Sequence, residues 1–107
     1  MKKGDKDLTP AELKKRILGY LRKMKWDAIK EVKNDEIAVE SIIQKHKELK
    51  NTVDNTFREY KKERITAVDN EMIKFKESII DAMKRFIETN KRTYDRRQHN
   101  KEKSIRL

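Results

Sequence analysis

Asn51-Thr52-Val53-Asp54-Asn55-Thr56 is a run of six residues with low helix propensity inside a sequence that otherwise favours helix, and its reading decides the fold. If the chain turns at Asp54-Asn55, three helices result over about residues 10–33, 36–53 and 56–90, with Thr56-Phe57-Arg58-Glu59 capping the third. If it does not turn, residues 35 to about 90 form one helix some 80 Å long, folded back against the first helix as a hairpin. Gly4, Gly19 and Pro10 are the only glycines and proline in the chain, so a turn here would have to be made by Asn and Asp alone. A long helix tolerates both, and a phase shift in a heptad pattern is an ordinary stutter. The sequence therefore reads as all-α, a long-helix coiled-coil hairpin, with a three-helix bundle as the alternative.

The phase shift is visible on either side of that run. Val39, Ile42, His46, Leu49 and Val53 alternate three and four apart, like the a and d positions of a heptad. Ile65, Val68, Met72, Phe75, Ile79, Ala82 and Phe86 form a second such run, offset by twelve residues from Val53 to Ile65 where seven or fourteen would keep register. In the hairpin much of the long helix has no partner in its own chain. Ile65, Val68, Met72, Phe75, Ile79 and Phe86 are then an exposed stripe that seeks another chain, so a homo-oligomer or a partner interface is expected there.

Upstream, Thr9-Pro10-Ala11-Glu12 places a hydroxyl at the N-cap, proline at N1 and a carboxylate at N3. A helix beginning at Pro10 is predicted, with Leu8 and Leu13 as its hydrophobic staple. Leu13, Ile17, Tyr20, Leu21, Met24, Ala28 and Val32 give it one apolar face, which ends at Lys33-Asn34-Asp35-Glu36. Residues 1–8 read as a disordered N-terminus, 9–90 as the helical body and 91–107 as a flexible basic tail.

Charge is unevenly distributed. The net charge of +10 divides into +6 for residues 1–34, −1 for 35–88 and +5 for 89–107. Basic ends on a near-neutral middle point to an anionic partner, because a single-sign surface concentrates the opposite charge. On a helical wheel Trp26 lies opposite the apolar stripe, among Lys15, Gly19, Arg22, Lys23, Lys30 and Lys33. A ring among cations is the layout of a nucleic-acid surface, and packing of the indole under a third helix or second subunit is the competing reading. The tail adds Arg92, Arg96 and Arg97 as candidate phosphate contacts.

The chemistry of enzymes finds no foothold. There is no cysteine, the two histidines, His46 and His99, are 53 residues apart, and no phosphate-binding glycine loop or Ser-His-acid grouping occurs. A non-enzyme without metal or cofactor is expected. Charged residues make up 45 % of the chain, and no apolar run approaches the length of a membrane span. Helix 1 is amphipathic, but its Trp lies away from the apolar border that an interfacial helix uses, so a membrane partner is not expected. Two functions fit: a cytoplasmic nucleic-acid-binding accessory protein contacting DNA or RNA phosphates, or a helical scaffold that binds another protein, such as an acidic surface.

Overall fold

The computed structural model describes residues 4–105, with side chains described through His99. It is all-helical: α1 spans Pro10–Glu31, α2 spans Glu36–Lys62 and α3 spans Asn70–Ile105, after a single 3-10 turn at Asp5–Asp7. The three helices pack pairwise around one core.

α1 starts as its sequence dictates. Thr9 accepts a hydrogen bond from the Glu12 amide at 3.2 Å, and Glu12 accepts one from the Thr9 amide at 3.2 Å. Leu8 and Leu13, the two staple residues, are both buried. The supposedly disordered first segment is tied down in its described part: Asp5 pairs with Arg16 of α1 at 2.9 Å and with Lys76 of α3. Those two cations hold the Asp5 carboxyl below the usual carboxylate range, the Lys76 hydrogen bond leading, against a desolvation that pushes it up.

The break expected at Lys33-Asn34-Asp35-Glu36 separates α1 from α2, but the second turn fits neither reading of the 51–56 run. α2 runs unbroken through Asn51 and Thr56, so the turn at Asp54-Asn55 and the cap at Thr56 do not occur. Packing overrides propensity there: Val53 and Phe57 are buried, Asp54 pairs with Lys14 of α1 at 3.3 Å, and the Thr52 hydroxyl donates back to the Glu48 carbonyl at 3.1 Å. The unbroken helix from 35 to 90 does not occur either, because the chain reverses over residues 63–69.

That reversal needs no glycine. The Ile65 amide donates to the Tyr60 carbonyl and the Arg64 amide to the Lys61 carbonyl, both at 3.1 Å, which is the Schellman closure of a helix C-terminus. Arg64 occupies the left-handed position usually given to glycine, with φ of 58°. An L side chain in that conformation costs about 1–2 kcal/mol. Downstream, the Asp69 carboxylate accepts from the Met72 amide at 2.9 Å and so caps α3.

The second heptad run is core, not an unpartnered stripe. Met72 is fully buried, Val68 and Ile79 nearly so, and the half-buried Ile65, Phe75 and Phe86 pack against the same cluster. Phe75 meets Phe57 of α2 edge-on, with ring centroids 6.1 Å apart. The need for a second chain, which rested on exposure of these residues, is met within this one. Met83, adjacent to the stripe, is also fully buried, because a core-facing helix buries an arc wider than the a and d seam.

The tail is not a flexible arm as far as it is described. α3 continues through it, Tyr94 packs on the core, the Asn90 amide donates to the Ala38 carbonyl at 3.2 Å, and Arg97 pairs with Asp35. Among the described residues, no helix is long and apolar enough to cross a membrane.

Candidate nucleic-acid interface

α1 has two faces with different duties. Leu13, Ile17, Leu21 and Ala28 are buried against the other helices, and that fixes the rotation of α1 about its axis. With the core stripe inward, Trp26 is turned outward and is 53 % exposed. Packing under another helix is therefore not its fate within this chain.

The cations expected around Trp26 are exposed: Lys15, Arg22, Lys23, Lys30 and Lys33 all face solvent and make no ion pair among the described residues. They are not one cluster, however. Lys23 sits toward α3, in a shallow groove it shares with Lys76 and Lys84. In its place the structure brings in Lys25, whose ammonium lies 4.9 Å from the centre of the indole ring. A cation at that distance from an aromatic face is held by the ring quadrupole. The wheel hides this contact, since Lys25 belongs to the flank beside α2 and reaches the ring only through its long stem.

α2 extends the positive region across the helix–helix groove. His46 is half-buried, and its pKa is held below the ordinary histidine value, first by desolvation and then by the charges of Lys25, Lys50 and Arg22. The same three cations that disfavour a proton on His46 would favour an anion beside it. The sequence reading placed His46 on the apolar heptad stripe, not at an anion surface, and gave Lys50 no role; a histidine at a heptad position was the available signal.

The tail cations divide. Arg92 and Arg96 are exposed and free of ion pairs among the described residues, but they lie on the solvent side of α3, away from Tyr94 and Arg97, which face α1 and α2. No described contact joins them to the Trp26 surface. Arg97 is engaged: its guanidinium lies against the Asp35 carboxylate, although its Nε and one terminal nitrogen have no in-line hydrogen-bond acceptor. A phosphate would have to displace Asp35 to reach it.

This geometry suits polyanion binding through charge and stacking. Lys and Arg neutralise phosphates with release of counterions, and an exposed indole offers a face to an unstacked base. Among the described residues no side chain that is polar or charged is buried, and no group of three His, Cys, Asp or Glu is placed to hold a metal. Comparison of the chain with protein-family models, with curated proteins and with solved structures finds no match.

Proposed function

We propose that this protein is a small nucleic-acid-binding accessory protein that performs no catalysis and acts in the cytoplasm. The carrying observation is Trp26, half-exposed on an amphipathic helix with the Lys25 ammonium over its ring and Arg22, Lys30 and Lys33 along the same ridge, all without an ion-pair partner among the described residues. Phosphates would be met by Lys15, Arg22, Lys25, Lys30 and Lys33, with Lys50 and His46 across the groove. The indole is available to a base only where bases are unstacked, which favours single strands over duplex.

Affinity in this reading is mostly electrostatic and little dependent on sequence, because no arrangement of side chains here addresses base edges. Oligomerisation is not required. The alternative of a protein-binding scaffold loses its main support, since the stripe it would use is occupied inside the fold.

The test is titration of Trp26 fluorescence with a single-stranded RNA oligonucleotide and a DNA duplex, at low and at physiological salt. The expected result is a saturating change, larger for the single strand. With five cations engaged, log K should fall against log salt with a slope of roughly −3 to −4. Absence of any complex at low salt, read in parallel by anisotropy of the labelled oligonucleotide, would sink the proposal.

A further inference from the structure

At the end of the molecule where α1 begins and α2 ends lies an open cleft of about 800 Å³. That volume is in the range of sites for small molecules. Its apolar part is made by Pro10, Phe57 and Ile65, and Phe57 is immobilised by edge contacts with Tyr60 and Phe75, centroids 5.3 Å and 6.1 Å away. Among the described residues four cations line it against a single carboxylate, and that carboxylate, Asp54, is already paired with Lys14. Arg58, Lys61 and Arg64 remain exposed and without ion pairs among the described residues.

Arg64 gives the second observation. It fills the left-handed position of the Schellman turn, where glycine would fold at lower cost, and its side chain lines the cleft. A residue kept in an unfavourable backbone conformation points to a use for its side chain. Here that use is a third cation beside an apolar floor.

We propose that this cleft binds a free amphiphilic anion, a molecule with an aliphatic body and one carboxylate head, with Phe57 and Ile65 against the body and Arg58, Lys61 and Arg64 around the head. Charge complementarity selects the anion, since a neutral apolar ligand would leave three cations beside it partly desolvated and unpaired. The ring of Phe57 is buried, so the cleft offers no open aromatic face on which a base could stack, in contrast to Trp26. The two sites are separate, and this inference does not depend on nucleic-acid binding.

The experiment uses the whole chain with anilinonaphthalene sulfonate as fluorescent reporter and decanoate, below its micelle concentration, as competitor. Saturable reporter binding displaced by decanoate and not by decanol is expected. Arg64→Gly relieves the backbone and keeps the fold, and it should weaken decanoate about tenfold. Arg58→Gln with Lys61→Gln should weaken it further, while Trp26→Ala leaves it unchanged. Equal displacement by decanol, undiminished binding in both cation variants, or no saturable binding would each overturn the proposal. Capture of the protein only by anionic phospholipid vesicles, with no decanoate binding, would overturn it in favour of a membrane surface.

Discussion

Arg97, seven turns into α3, reaches back to Asp35, the N-cap of α2, so one carboxylate both opens one helix and anchors another. Asp35 accepts from the Ala38 amide at 3.1 Å while the guanidinium closes over it. Asp35→Ala should lower the melting temperature by several degrees, since it removes the cap and the ion pair together. Arg97→Ala should lower it less but raise hydrogen exchange selectively in α3 beyond Asn90. Equal protection of that segment in the variant and the wild type would show that the pair does not hold it.

Arg64→Gly is predicted to stabilise the protein by about 0.5–1 kcal/mol, the relief of a left-handed L residue less the greater freedom of glycine in the unfolded chain. Thermal melting should report an increase of about 2–8 °C. Arg64→Ala, which keeps the Cβ, should give no such gain.

Met72→Ala should cost about 2–5 kcal/mol in denaturant unfolding, because Met72 is fully enclosed by the core. Met72→Glu should fail to fold. Were these residues instead an outward-facing interface, both variants would remain folded and only association would change.

Among the described residues, three titrations shape the stability on the acid side of neutrality. His46 has a folded pKa below 6.5, so between the two values the unfolded state holds more protons and stability falls as pH drops through that window. His46→Gln should flatten this slope. Asp5 and Asp35 are depressed below 3.8: Asp5 chiefly by the Lys76 hydrogen bond, and Asp35 because desolvation, its largest single influence, pushes it up by less than the Ala38 amide and Arg97 together pull it down. Their contribution is present above about 3.8 and is lost as pH falls through the folded values. Asp5→Asn should therefore make unfolding in acid less steep.

If phosphates occupy the groove beside Arg22, Lys25 and Lys50, they neutralise the charges that depress His46. Its pKa, followed by NMR, should rise when single-stranded RNA is added, and binding should take up a proton below pH 6.5. An unchanged His46 titration alongside saturated binding would place the polyanion elsewhere.

The sequence is legible where a few adjacent residues settle the matter. Thr9, Pro10 and Glu12 define the start of α1, and the pause at Asn34-Asp35 separates α1 from α2. The second turn was not legible, because the expectation that turns need Gly, Asn or Asp assigns no special weight to Arg64, and because Asp69 caps α3 without the carboxylate partner that completes a box. The low propensity of Asn51 to Thr56 was real but small, and burial of Val53 and Phe57 outweighed it. Likewise the outward placement of Trp26 followed from periodicity on its own helix, whereas its cation partner and the contribution of His46 and Lys50 depend on how α2 lies beside α1.

Asp5 meets Arg16 eleven residues away and Lys76 seventy-one residues away. On a ribosome adding about 5 to 20 residues per second, Lys76 is made some 4 to 14 seconds after Asp5. Through that interval the Thr9 cap and the Arg16 contact can already form, while the clasp to α3 cannot. The amino-terminal turn thus waits for the last helix, and its closure marks the arrival of α3 in the nascent chain.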